Sequence, residues 1–294
     1  MTDMTQPSRI ALRPTRSRAR MVWTQFRRNR AGLVGLVLLS VFLSAGLFAP
    51  VLAPYDPYEI ELESGLKRPG PGHLLGQDEL GRDMLSRIIY GARLSLVIGV
   101  IAVTIGVGIG VPVGAISGYF GGLPDLLVQR VIDIMLAFPG ILLAIVLVAV
   151  LGVGLVQVMV AVGIVSIPVY ARLVRGQVLS LRSQEFVDAA RAVGATSGRV
   201  IWRHVLPNTL AVVIVQSTLQ IASAILAAAA LGFLGLGAQP PAAEWGSMLS
   251  NARQYIRLAP HSVMFPGLAI MMTVLGFNLL GDAIRDALDP RMRI

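Results

Sequence analysis

The side chains able to do chemistry are few and scattered. The 294 residues include no cysteine, three histidines and a single lysine. Without cysteine, neither a disulfide framework nor a thiolate metal site can form. His73 has no second ligand at metal spacing, and His204 and His261 fall on opposite sides of the membrane in the topology derived below. Lys67 follows Leu66 in an acidic loop and no GxxxxGK[ST] occurs, so no P-loop is available to cradle a nucleotide phosphate. Gly232, Gly235 and Gly237 do not have GxGxxG spacing, and no strand precedes them. No Ser/His/Asp set is visible, nor the paired carboxylates within apolar runs that carry protons in ion-coupled carriers. The catalytic set is therefore expected to be empty. What remains is a polar face: Gln216, Gln220 and Ser223 stand at i, i+4 and i+7 of one apolar run, and Asn278 stands in another. In hydrocarbon such a face must turn toward protein or a watery cavity, so it is either interhelical glue or part of a passage.

The elements that hold these residues follow from composition. Hydrophobic residues make up 55% of the chain and charged ones 14%, against about 25% charged in an ordinary soluble domain; mean hydropathy is +0.72. The apolar residues come in runs of roughly 20, the length that crosses about 30 Å of hydrocarbon as a helix. The pattern predicts an all-α polytopic membrane protein. The net charge of +9 comes from arginines beside these runs, which is a topology signal and not a nucleic-acid footprint.

Residues 1–30 read as a mobile basic tail, with Arg9, Arg13, Arg16, Arg18 and Arg20 followed by Arg27, Arg28 and Arg30. Residues 31–53 form a first span, too long for the apolar core of a cleavable signal peptide and hence a signal anchor. Residues 54–94 form an outer loop with seven acids against five bases, ending in an amphipathic segment from Asp83 to Ser95 near the surface. Residues 95–290 hold five further spans, at 96–116, 126–151, 156–173, 209–231 and 265–283, with a cytoplasmic loop at 176–208 and a second outer segment at 232–263. Gly106, Gly110 and Gly114 recur every four residues in the second span, a ridge that lets another helix approach closely. Pro139 and Pro168 fall inside spans three and four as tolerated kinks, and Arg130 and Asp133 are spaced to pair on one helix.

The longest charged run in the second half reads as a knuckle. Glu185 to Val193 are good helix formers, with Ala189 and Ala190 as a smooth patch. Gly194 permits the left-handed turn that ends a helix. Thr196 or Ser197 can cap a second short helix, Gly198 to Val205, and Pro207 punctuates the exit. Helix, glycine break and helix between two membrane anchors suit the transmission of force, not chemistry.

Asp188-Ala-Ala-x-x-x-Gly194, nine residues, then His204-x-Leu206-Pro207 resembles the EAA motif of bacterial ABC importer permeases, Glu-Ala-Ala-x3-Gly-x9-Ile-x-Leu-Pro, with Asp188 in place of the glutamate and His204 in place of the isoleucine. The runs His73 to Leu96 and Ala230 to Leu249 are similar to the C-type permease subunit of dipeptide/oligopeptide importers. The resemblance covers roughly Ala31 to Pro290. It implies the type I ABC importer permease fold. It makes Glu185, Asp188, Ala189, Ala190, Gly194, His204, Leu206 and Pro207 the element that docks into a groove of an ATPase subunit. Also implied are a heterodimer with a B-type permease subunit, two ATPase subunits that bind ATP and Mg, and an extracytoplasmic substrate-binding protein. The expected cargo is a di- or oligopeptide, or a related small peptide such as glutathione. A nickel chelate is an alternative within the same branch, and a self-sufficient secondary carrier is one outside it.

Orientation can be counted. With the amino terminus inside, the inner segments and their flanks hold 18 of the 25 bases and the outer segments hold seven. The positive-inside bias predicts six spans with both termini and the knuckle in the cytoplasm of a bacterial inner membrane.

Overall fold

The computed structural model describes residues 23–288. The tail arginines Arg9 to Arg20, and Asp289 and Pro290, lie outside the described residues. Every regular element described is helical, apart from one isolated bridge between Gln77 and Asp83. Besides two short 3-10 turns, Leu62–Ser64 and Arg253–Tyr255, they are in chain order α1 (Arg30–Leu47), α2 (Ala49–Leu52), α3 (Met84–Phe120), α4 (Gly122–Ala137), α5 (Gly140–Leu151), α6 (Leu155–Leu181), α7 (Glu185–Ala192), α8 (Ser197–Phe233), α9 (Trp245–Ala252) and α10 (His261–Leu288). Five of them, α1, α3, α6, α8 and α10, are long and apolar enough to cross a membrane; α4 and α5 qualify as a pair but meet at 96°. The chain is a multi-pass, all-α membrane protein of five spans, or six when the bent pair is one.

Several boundaries differ from the sequence expectation, each for a local reason. The segment Asp83 to Ser95 is not separate from the second span; it is the opening of α3. Asp83 starts that helix by accepting the Ser86 backbone N–H at 2.8 Å. At about 1.5 Å per residue, the 37 residues of α3 reach about 55 Å, far beyond the roughly 30 Å of hydrocarbon. Part of it must therefore extend beyond the hydrocarbon, and its first turns are covered by protein. Met84, Arg87, Gly91 and Ala92 are buried there against protein.

Pro139 does not merely kink its span. A residue preceding proline is pushed out of the helical region, and Phe138 sits at φ −88, ψ 137, so the helix breaks there. Pro168, by contrast, is carried inside an unbroken α6. Asp133 pairs not with Arg130 but with Arg172 of α6, at 2.6 Å.

The largest helix interface joins α3 to α6, along the glycine ridge. A Cβ at Gly106 would stand 2.9 Å from the Ser166 Cβ, and one at Gly110 would stand 2.7 Å from the Ile167 carbonyl oxygen. Gly114 and Gly118 continue the ridge against Ala171 and Arg175. On the other side, Gly163 of α6 receives Ile105. Small residues bring the two backbones together because lipid offers no hydrophobic drive between helices, only packing.

The bundle has two distinct ends. One gathers the start of α1 and the end of α10, where Asn29 Nδ2 donates to Asp286 Oδ2 at 3.2 Å. The end of α3, the end of α6 and the start of α8 lie at the same level, joined by the knuckle. The opposite end carries the 54–83 loop and α9. There Trp245 is fully buried, donates to the Ile88 carbonyl at 3.1 Å and meets Phe42 edge-on at 5.5 Å. Gly91 makes room for its indole: a Cβ there would lie 2.7 Å from the ring.

If the ridge sets the α3–α6 distance, Gly110→Val will force the helices apart at a cost of about 1–3 kcal/mol. Gly108→Val, two residues away with open space at its Cβ, should cost little. Thermal unfolding of the two purified variants beside the parent is the check, and equal melting shifts would contradict the packing argument.

Candidate coupling surface and the polar face of α8

The knuckle is built as one compact turn. α7 starts after Gln184 in extended backbone and carries Glu185 and Asp188 in its first turn, where acids suit the helix dipole. Its end is locked at Gly194, with φ +82. The Ala195 N–H reaches the Ala190 carbonyl at 3.0 Å and the Gly194 N–H the Arg191 carbonyl at 2.9 Å. These are the paired bonds of a Schellman motif, which needs a left-handed residue at this place. Nothing lies within 4 Å of a Cβ built on Gly194, so the demand for glycine is one of backbone angle and not of space.

Thr196 then caps the next turn, accepting the Arg199 N–H at 3.4 Å. The short helix expected from Gly198 to Val205 is not separate, and Pro207 does not end it. Val200–Val205 form a π-turn that runs straight into the rest of α8. The physical cause is Pro207: it lacks an N–H, and its ring crowds the carbonyl four residues back. A widened turn absorbs both, and the Leu206 N–H bonds the Ile201 carbonyl five residues back.

Two faces result. Val187, Ala190, Val200, Ile201, Val205 and Leu206 are buried in one cluster with Tyr119 of α3 and with Tyr170, Val174 and Val178 of α6. Arg191 lies over the Tyr119 ring at 5.3 Å, a further tie to the end of α3. On the other face Glu185, Asp188, Ala189, Gly194 and Pro207 are exposed, as are Val193 (85%) and Trp202 (63%). The two alanines therefore part, with Ala190 in the core and Ala189 outside. His204 is half-buried on the π-turn. The Asp188–Arg191 pair, 3.3 Å apart on the exposed side, adds little stability in water.

The polar residues expected to share one face of α8 have different surroundings in the bundle. Gln220 is half-buried and donates to Ser166 of α6 at 3.0 Å. Ser217 accepts from the Tyr170 hydroxyl at 3.1 Å. Gln216 is half-buried, and the exposed Ser223 bonds back to its own helix at Leu219. Asn278 lies elsewhere, as the only polar side chain in a cleft of about 590 Å³ between α8 and α10, among Leu226, Phe233, Ile270 and Met271.

Other polar contacts that hold the bundle together escaped the sequence reading. Arg175 of α6 grips Asp125 of α4 with two bonds of 2.7 Å, and Ser117 of α3 donates to the same carboxylate. This clamp ties three helices beside the knuckle. At the opposite end, Asp78 holds Arg82 at 2.7 Å and Arg87 at 3.2 Å, and Arg87 also donates to the Pro57 carbonyl at 2.9 Å. All three charges are buried, which is tolerable only because they pair. His73 belongs to the same hub, with its Nδ1 2.9 Å from Asp83 Oδ1. Glu244 caps α9 by accepting the Gly246 and Ser247 N–H groups at 2.8 Å. Burial pushes its carboxyl above the usual range and those two bonds oppose the shift. The run Gln77-Asp-Glu-Leu-Gly-Arg-Asp83 was the available signal for the hub, but its pairings are set by the fold. No group of three or more His, Asp or Glu placed to hold a metal occurs among the described residues.

The chain aligns with known proteins over most of its length. Residues 17–69 match the N-terminal TM domain of oligopeptide transport permease C. The dipeptide transport system permease protein DppC of Alkalihalophilus pseudofirmus is 50% identical over 274 residues, covering 93% of this chain and 90% of the relative. The glutathione transport system permease protein GsiD of Escherichia coli is 47% identical over 272 residues, covering 92% of this chain and 90% of that one. In structure the bundle is similar to an inward-facing conformation of the MetNI methionine ABC transporter, with a TM-score of 0.57 at 21% identity over 70% of this chain and 98% of the other, a likeness of fold. Residues 110–294, which include the knuckle and the last two long helices, match the binding-protein-dependent transport system inner membrane component family, and the chain belongs to that family.

Proposed function

We propose that the chain is a membrane permease subunit of an ABC importer for di- or oligopeptides or a small peptide such as glutathione. ATP hydrolysis in partner subunits drives it through the knuckle. The supporting observation is the two-faced knuckle: its inner face is continuous with the bundle core, and its outer face presents Ala189, Val193 and Trp202 with no cover. A groove on an ATPase can grip that outer face and push, and the core on the inner face carries the push into α3 and α6. The similarity to dipeptide and glutathione permeases supports the cargo class.

The proposed assembly pairs this chain with a B-type permease subunit, two ATPase subunits that bind ATP and Mg, and an extracytoplasmic binding protein. In it, α4 and α5 count as one broken span, giving six, with both termini and the knuckle in the cytoplasm. The meeting of the α1 start with the α10 end and the positive-inside count support that arrangement. Gln216, Ser223 and Asn278 are the candidate pathway residues; Gln220 is assigned to gluing α8 onto α6.

Three outcomes are expected. The chain has no cysteine, so Val193→Cys, expressed without the ATPase partners proposed to cover this face, gives a clean topology probe at a site 85% exposed in the isolated chain. An impermeant maleimide should label it in inverted vesicles and not in spheroplasts; labelling of spheroplasts overturns the orientation. Second, Gly194→Val places a β-branched residue at φ +82, a strain of about 1–3 kcal/mol. Binding-protein-dependent uptake should fall at least about tenfold (about 1.4 kcal/mol,) while the assembly still hydrolyses ATP, and Gly194→Asn, which tolerates that backbone, should restore part of it. Unchanged uptake in Gly194→Val would falsify the lever. Third, Gln220→Ala and Ser166→Ala should show a coupling of about 0.6 kcal/mol in a stability double-mutant cycle. Gln216→Ala should change uptake or peptide preference in an intact assembly; a loss of assembly instead would make that residue glue as well.

A further inference from the structure

Far from the knuckle, a groove of about 300 Å³ runs between α1 and α3, lined by Leu43, Gly46, Leu47, Arg93, Leu96 and Val97. We infer that it holds one phospholipid, with the acyl chain along the apolar wall and the phosphate on Arg93.

Gly46 sets the floor. A Cβ there would stand 2.9 Å from the Arg93 backbone nitrogen, so the helices touch with no side chain between them. Leu43, Leu47 and Val97 stay exposed around that contact. Arg93 is exposed too, and forms no side-chain hydrogen bond or ion pair among the described residues. The acids of the neighbouring hub are already committed: Asp78 to Arg82 and Arg87, Asp83 to His73 and the start of α3.

Depth places this cation at a membrane surface. The polar cap at Asn29 marks one end of α1, and Gly46 lies 17 residues further on, about 25 Å at 1.5 Å per residue. That distance is close to the roughly 30 Å hydrocarbon thickness. Arg93 thus stands at the interface opposite Asn29, where an uncompensated guanidinium reaches for a headgroup. A planar guanidinium matches phosphate with two parallel bonds.

The groove is narrow, at the small end of the roughly 300–1,000 Å³ of ligand pockets, and a helix about 10 Å across does not fit in it. An acyl chain does. α1 packs on α10 and α3, while Leu33, Val34, Val37 and Val41 also remain exposed, as expected of a span at the edge of the bundle. This inference needs neither the import reading nor the assignment of the cytoplasmic side.

The test uses the full chain purified in detergent and native mass spectrometry with dioleoylphosphatidylglycerol. The parent should retain one lipid. Arg93→Ala should need about tenfold more lipid for the same occupancy, and Arg93→Lys should fall between. Leu43→Trp, which fills the groove from its exposed rim and leaves Arg93 in place, should also lose the lipid and decides the matter if Arg93→Ala is poorly folded. Equal retention by Arg93→Ala, equal retention of dioleoylglycerol, which has the same chains without the phosphate, or displacement by millimolar inorganic phosphate each overturn the assignment. So does a photo-crosslinker at Val97 in the co-purified assembly that captures a protein chain and no lipid.

Discussion

The close approach of α3 and α6 is the contact on which the rest of the structure depends. Lipid tails are as apolar as leucine, so two helices in a membrane gain little from hiding hydrophobic surface and must gain it from packing and internal polar bonds. Gly106, Gly110, Gly114 and Gly118 clear one face of α3 for that purpose, and Ser166, Tyr170, Ala171 and Arg175 of α6 occupy it. Once the two helices are fixed, their ends are fixed with them. Tyr119 and Val178, which close the ridge, are the same residues that receive Val187, Ala190 and Val200 of the knuckle. The Asp125–Arg175 clamp adds α4 to the same junction. A displacement of the knuckle is therefore a displacement of the α3–α6 pair, not of a loop.

If the knuckle acts as the lever proposed for it, it must be stiff in itself and jointed where it meets the load. Stiffness comes from the Schellman lock at Gly194 and from the buried cluster beneath α7. The joint is the π-turn at Val200–Val205, where the hydrogen-bond ladder is one residue out of step with the helix that follows. Such turns commonly mark functional positions in helices because the extra residue can be taken up or released at modest cost. Pro207 holds the irregularity in place, since an ordinary α-turn there would press its ring against the Arg203 carbonyl.

Much of this was legible in the sequence, and the remainder divides by cause. Run length and composition are enough for the helical class, because a chain in lipid has few ways to satisfy its backbone. The glycine ridge and the turn at Gly194 are local properties of residue type, so spacing alone announces them. Boundaries were less legible, since they depend on what surrounds a helix and not on what it contains. α3 begins at Asp83 because the 54–83 loop and α9 cover its first turns, and no window of hydropathy reports that cover. The proline effects split for the same reason. Pro139 breaks its span at Phe138 while Pro168 is absorbed, although both stand inside predicted spans. The ion pairs were least legible: Asp125 with Arg175 and Asp133 with Arg172 join residues far apart in the chain, whereas the near pair Arg130–Asp133 does not form.

The α8 face shows how the same residue pattern divides once neighbours are present. Gln216, Gln220 and Ser223 share one side of a helical wheel, which treats them as equivalent. In the bundle Gln220 finds Ser166, whose hydroxyl is itself bonded to the Val162 carbonyl, so the amide is held on a partner that cannot turn away. Ser217, one position off that face, does the same for the Tyr170 hydroxyl. The polar atoms that fasten α8 to α6 are thus interleaved with those left over, at a spacing of one turn or less. A movement transmitted through α6 must shift Gln220, and with it the orientation of Gln216 one turn nearer the knuckle. Fastening and any lining of a passage are therefore carried by the same stretch of α8, one turn apart.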